Sequence, residues 1–212
     1  MTEYEKELET ERTMKDQFMA HHRESPFVAG RVYGFDGLRY FPIDPKFRVT
    51  AKLLRQPTPQ EAYLRTNRDG QAVMRYLGDL AFSVGSESLR LRVYHAGEGV
   101  GTSVFVPFRD RTSGKESYAS GRYLTLDLTE DDVYELDFNR AFNPYCAYTP
   151  TFECPFPPIE NDLPVAIRAG EKAWLPKVEV RAAVRPKSAP PKKVASRRRP
   201  AARKRPATKR RR

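Results

Sequence analysis

In "FRVTAKLL", residues 47–54, the apolar side chains Phe47, Val49, Ala51 and Leu53 alternate with Arg48, Thr50, Lys52 and Leu54. A period of two marks a strand with one face in a core and the other in water. The same rhythm recurs in both directions from here. Upstream, "RVYGFDGLRYFPID" (31–44) carries turn glycines at Gly34 and Gly37. Downstream, "EAYLRTN" (61–67) reads as another strand, and Asp69-Gly70 is a hairpin signal leading into "QAVMRYLGDLAFSV" (71–84). Leu89, Leu91 and Val93 alternate with arginines, "TSVFVPF" (102–108) reads as a buried strand, and Thr112-Ser113-Gly114 as a turn. Leu124, Leu126 and Leu128 alternate with Tyr123, Thr125 and Asp127; Tyr134, Leu136 and Phe138 alternate with Glu135, Asp137 and Asn139. "VAIRAG" (165–170) closes the series. About nine strands with no long helical pattern between them predict a mainly β fold, an antiparallel β-sandwich or barrel.

The first two dozen residues are the exception. Thr2 followed by Glu5 has the spacing of a capping box and starts a helix. Tyr4, Leu8, Met14 and Phe18 lie near one face of it, a thin stripe for a helix lying on the body. Ser25-Pro26 ends it, because a residue before proline avoids the α region. His21 and His22 fall at its exposed end. The organisation expected is a helix over 1–24, a β-rich domain over 25–176 and a disordered tail over 177–212.

Charge separates the last part from the rest. Of 38 Lys+Arg, fifteen lie in residues 181–212, which hold no acid; the other 23 face all 27 Asp+Glu, so residues 1–180 carry −4 of the net +11. The body therefore lacks the charge of a nucleic-acid binder. The tail has five prolines and no aromatic residue, which leaves it too little apolar surface to fold. Its basic clusters are Lys192 and Lys193, Arg197, Arg198 and Arg199, Arg203, Lys204 and Arg205, and Lys209, Arg210, Arg211 and Arg212. A polycation of this kind meets a DNA or RNA backbone by releasing counterions, with no geometry to read bases. No apolar run approaches the roughly 18–20 residues of a membrane helix, and the acidic start "MTEYEKELETER" is unlike a signal peptide. The expected location is cytoplasmic, with nucleoid association through the tail. Oligomeric state is left open.

The chemistry concentrates in "LDFNRAFNPYCAYTPTFECPFPPIEN", residues 136–161, which holds both cysteines and a dense set of carboxylates, amides and aromatics. A three-residue loop at Thr149-Pro150-Thr151 sets Cys146 opposite Cys154 across a hairpin. The two thiols are free, joined as a disulfide, or share a metal. C-x7-C with three scattered histidines offers no second ligand pair for zinc, so no metal site is assigned. Asp137 and Asn139 share one strand face, Arg122 precedes a neighbouring strand, and Glu160, Asn161 and Asp162 follow the rigid "PFPP" segment. Brought together, they make a polar pocket: Arg122 as a fork for an anion, Asp137 and Glu160 as a proton-transfer pair or oxygen ligands. The alternative is that these polar side chains fix turns and pair for stability. "GEGVG" (97–101) and "TSGK" (112–115) lack the spacing of nucleotide-binding loops.

"SPF" (25–27), "GLRYFPIDPKFRV" (37–49), "FVPFRDRTSGKESYASGRYL" (105–124), "LDFNRAFNPYCAY" (136–148), "CPFPPIENDLPV" (154–165) and "AGEK" (169–172) together resemble the prokaryotic family catalogued as domain of unknown function 1684. The resemblance covers residues 1–172 and implies a single-domain prokaryotic protein with the tail added. It supplies no activity and no cofactor, so no catalytic residue carries over. It directs attention to Asp110, Tyr118, Arg122, Asp137, Asn139, Asn143, Glu160 and Asn161 as a candidate ligand pocket. Two functions follow: a β-rich binding protein with a polar pocket, tethered to nucleic acid by its tail, or an enzyme using Arg122, Asp137 and Glu160.

Overall fold

The computed structural model describes residues 1–96 and 103–175. The "GEGVG" motif and the basic tail lie outside the described residues. Residues Met1–Lys177 form one compact unit. Its centre is one antiparallel sheet of six strands: β1 (Arg48–Arg65), β2 (Gln71–Val84), β3 (Glu87–Ala96), β4 (Ser103–Phe108), β5 (Arg122–Asp127) and β6 (Val133–Asp137). They are ordered β5-β4-β3-β2-β1-β6 and curl into a nearly closed barrel.

The alternation in 47–54 is realised as expected, with Phe47, Ala51 and Leu53 buried and Arg48, Thr50, Lys52 and Leu54 exposed. They join Leu80, Leu91, Val93, Val106, Phe108, Leu124, Leu136 and Phe138 in the barrel core. Each buried Val, Leu or Phe contributes about 1.5–3 kcal/mol. β6 returns to pair with β1, from Arg48↔Asp137 to Lys52↔Val133. That return carries the 136–161 stretch back beside the start of β1.

Six strands replace the expected nine for identifiable reasons. The 61–67 segment is no separate strand, because β1 runs through it, shifting register between Arg55 and Gln60. Pro57 and Pro59 fall inside that shift, where a missing N–H costs no ladder bond. The 165–170 segment is coil and joins no strand of the sheet. The 31–44 segment is coil, with one isolated bridge from Tyr40 to Glu171. The hairpin expected across Cys146 and Cys154 is also absent: 3₁₀ turns at Phe138–Arg140 and Tyr145–Ala147 interrupt the stretch.

At the N-terminus, α1 (Glu3–His21) starts with both halves of the capping box, Thr2 accepting from the Glu5 N–H and Glu5 accepting from the Thr2 N–H. The helix stops at His21, and Ser25-Pro26 opens a second short helix, α2 (Pro26–Ala29), which Ser25 caps. Leu8 and Met19 are the buried apolar residues of α1. Between them on the same face lie Arg12, over the Tyr40 ring, and Lys15, over the Phe142 ring. Met14, expected near the docking face, is exposed. A second apolar cluster of Met19, Phe27, Leu38, Tyr148 and Trp174 fastens both helices to the coil that ends the described chain. No helix among the described residues is long and apolar enough to cross a membrane.

Gly78 sits at the register shift of β2 against β3, at φ +146°. A Cβ there would lie 2.2 Å from the Leu54 carbonyl oxygen. Gly78→Ala is expected to lower stability by more than about 1 kcal/mol, read as a lower urea midpoint with an unchanged slope.

Candidate functional site

The expected pocket residues divide into separate groups. Arg122, at the start of β5, is fully buried. It donates to Asp110 Oδ2 at 2.8 Å and to the carbonyls of Ile167 at 2.8 Å and Glu171 at 3.1 Å, and also to that of Ala169. Burial pulls its pKa down while the Asp110 charge opposes the shift. Asp110 Oδ1 in turn accepts from the N–H groups of Thr112 at 2.7 Å and Ile167 at 3.2 Å. This carboxylate is fully used within the fold.

Asp137 and Asn139 make a second group where β6 ends. Asp137 accepts from Tyr4 Oη at 2.8 Å, Arg140 Nη1 at 2.7 Å and the Asn139 N–H at 2.9 Å. Asn139 exchanges bonds with the backbone of Asp44, at 3.0 and 2.9 Å. Burial, then the Asp137 hydrogen bond, pushes the Tyr4 hydroxyl pKa up, so it stays a donor. Arg140 also holds Glu7 and Glu11 of α1. This group docks the helix.

Asn143 belongs to a third group, around a carboxylate that the sequence reading did not select. Glu171, 1% exposed, accepts from the Asn143 N–H at 2.8 Å and Tyr148 Oη at 2.7 Å, and pairs with Lys15 Nζ at 2.6 Å. Asn161 makes a fourth. Its Oδ1 accepts from the Arg92 N–H at 2.7 Å, and its Nδ2 donates to the carbonyls of Arg92 at 2.9 Å and Pro107 at 2.6 Å. The side-chain amide thus bridges β3 and β4 where Pro107 has no N–H to offer. Glu160 points outward and pairs with Arg92 at 2.9 Å. Tyr118 lies beside Cys146, its hydroxyl 3.9 Å from the sulfur. Arg122, Asp137 and Glu160 therefore hold different partners and do not converge. Among the described residues no group of three or more His, Cys, Asp or Glu is placed to hold a metal ion.

A groove of about 720 Å³ lies next to these residues instead. Tyr63, Leu64 and Arg65 at the end of β1 form one side; Phe156, Pro157, Pro158 and Ile159 form the other; Arg109, Ala119, Ser120 and Asp162 complete it. The Phe156 N–H donates to the Arg65 carbonyl at 2.7 Å, and the backbone of Arg109 is bonded to Asn161 and Leu163. Gly121 lets Pro157 close in: at φ +101°, a Cβ there would meet Pro157 Cγ at 2.7 Å. Arg65 and Arg109 are exposed, and neither guanidinium is in an ion pair among the described residues.

The family described as "Protein of unknown function (DUF1684)" matches residues 33–172, about two thirds of the chain. The chain belongs to this family. Among solved structures, the DUF1684 fold here is similar to the solution NMR structure of an uncharacterized protein of Haloarcula marismortui. The two share 40% identity over 80% of this chain and 94% of that one, with a TM-score of 0.63. No curated protein matches the chain.

The groove of this DUF1684 domain lies beside the expected site and shares Asp162 with it. Arg109 and Ala119, next to the expected Asp110 and Tyr118, also line it. Asp110 and Asn161 turn inward to backbone partners, while Arg109 and Asp162 beside them are exposed. The unpaired arginines are the signal that was missed, because pairing is invisible in a sequence.

The buried pair gives a clear test. Arg122→Met leaves Asp110 charged and without its cation. It is expected to cost about 3–5 kcal/mol, measured by urea unfolding. Arg122→Met combined with Asp110→Asn is expected to recover part of that loss.

Proposed function

We propose that this protein is a two-part binding protein. Its body takes up an organic anion with an apolar or aromatic portion in the groove between Tyr63 and the 156–159 wall. Its tail holds the protein on nucleic acid. The observation that carries the first part is the pair of arginines, Arg65 and Arg109, in no ion pair among the described residues, in a groove whose other lining is mostly apolar (Tyr63, Leu64, Phe156, Ile159 and prolines) with Asp162 its one carboxylate. The volume, about 720 Å³, falls in the range of roughly 300–1,000 Å³ common for small-molecule sites. A guanidinium fork suits a carboxylate, sulfonate or phosphate, while rings and prolines cover an apolar body. The enzyme alternative needed Arg122, Asp137 and Glu160 in one place, and nothing in their separate partnerships favours it.

The second part rests on charge. The family match ends at residue 172, before the fifteen basic residues of 181–212. The body is acidic and the tail is not, so nucleic acid is engaged by the tail. With Lys and Arg separated by Pro and Ala and no ring to stack on bases, the binding is non-specific and salt-sensitive.

Binding of 8-anilinonaphthalene-1-sulfonate, an aromatic sulfonate, tests the groove by fluorescence titration. Arg65→Ala and Arg109→Ala are each expected to weaken it about tenfold or more, from a charge-assisted bond of about 1.5–3 kcal/mol. Equal affinity in both variants would sink the groove reading. Gel-shift titration tests the tail. The full chain is expected to lose about 10³–10⁵ in affinity between 50 and 200 mM salt, if some 6–10 phosphates are contacted. A version ending at Lys177 is expected not to shift DNA; equal binding by both would exclude the tail.

A further inference from the structure

Cys146 and Cys154 are the chain's two cysteines, and both are free. They are adjacent although the expected hairpin is absent. The Cys146 N–H donates to Cys154 Sγ at 3.4 Å. Both flanking segments are fixed. The Cys154 N–H donates to Asn67 Oδ1 at 2.7 Å, and its carbonyl accepts from the Asn67 N–H at 3.2 Å, which clamps Cys154 to the β1–β2 turn. Cys146 sits in the Tyr145–Ala147 turn, with the Tyr118 hydroxyl beside its sulfur. Cys154 is buried and Cys146 half-buried. Hydrogen bonding from the Cys146 thiol, then the backbone N–H groups of Cys146 and Tyr145, lowers the Cys154 thiol to about 7 against the opposing effect of burial. The Cys146 thiol moves the opposite way, held up by its bond to Cys154. The Cys146 N–H aimed at Cys154 Sγ favours the charged form on that sulfur.

We propose that Cys146 and Cys154 are a peroxide-reactive site that closes to an intramolecular disulfide. The chemistry needs one hydrogen peroxide, a molecule little larger than water. The Cys154 thiolate attacks a peroxide oxygen; the O–O bond breaks, a sulfenic acid forms on Cys154, and the departing hydroxide takes a proton to become water. The Cys146 sulfur then attacks the Cys154 sulfur. The S–O bond breaks, the S–S bond forms, and hydroxide leaves with the Cys146 proton as a second water. Two thiols lose two electrons in all, and peroxide gains them.

The proposed order of roles follows from position. Cys154 attacks because its sulfur accepts the Cys146 N–H, which favours a thiolate there, and Cys146 resolves because its sulfur is the thiol placed beside the product. A metal shared by the pair would leave two ligands unsupplied, since no third His, Cys, Asp or Glu stands with them among the described residues.

The test uses the folded full-length protein. It is treated with equimolar hydrogen peroxide, alkylated with iodoacetamide under denaturing conditions, and weighed. The expected product has lost two hydrogens and carries no alkyl group. Chymotryptic cleavage after Tyr148 or Phe152 is expected to leave the two halves of the 141–168 region linked until a reductant is added. With dimedone present, Cys146→Ser is expected to trap a sulfenic acid on Cys154, while Cys154→Ser reacts about tenfold or more slowly. Two alkylated thiols, a disulfide between two chains, or first oxidation at Cys146 would each overturn the proposal. The wild-type mass alone is decisive should either variant fail to fold.

Discussion

The fold is organised around one guanidinium. Arg122 has no contact with solvent, and an isolated buried charge of this kind costs several kcal/mol even after relaxation. That cost fixes what must surround it. Asp110 supplies the countercharge, and the carbonyls of Ile167, Ala169 and Glu171 take further donors. The faces of Phe41 and Phe108 cover the group. Three remote segments become one unit: the start of β5, the turn that Asp110 begins, and the coil after residue 163. A pair like this does not make the protein more stable than an apolar plug would. It makes the path of a coil without sheet pairing unique.

This also explains the 165–170 segment. Its alternating pattern reads as a strand, but the segment is coil with Gly170 at φ +74°. Its carbonyls at positions 167 and 169, and that of residue 171, accept from a single side chain. Their partner is the Arg122 side chain. Asn161 works on the same principle. Its amide supplies the donor that Pro107 lacks and an acceptor for Arg92, completing the seam between β3 and β4. In both places a polar side chain substitutes for a missing strand. Sequence periodicity does not report what the backbone bonds to.

Much of the remainder was legible for the same reason that this was not. The capping box at Thr2 and Glu5, the alternation in 47–54 and the Asp69-Gly70 turn are local signals, and local physics governs them. The docking face of α1 is not local. Arg12 and Lys15 lie on it because Tyr40, Phe142 and Glu171 wait there, and a charged residue is read as a solvated one until its partner is known. Likewise Asp110, Arg122, Asp137 and Asn143 have the residue types of an active site. What separates a scaffold carboxylate from a working one is whether its lone pairs are already taken. Here the partners are remote backbone N–H groups, arginines and tyrosines.

The groove arginines are the counterpart of Arg122. Arg65 and Arg109 are exposed, so their charges are hydrated and lack the desolvation cost that commits Arg122 to a partner. Neither is needed to hold a segment in place, because the groove wall is bonded through backbone groups and stiffened by Pro155, Pro157 and Pro158. A rigid wall spares an incoming ligand much of the ordering cost of binding. A guanidinium that the fold does not use, beside a surface that need not move, keeps its donors for something else. On the function proposed here the same residue type plays two roles in one molecule, and burial decides which.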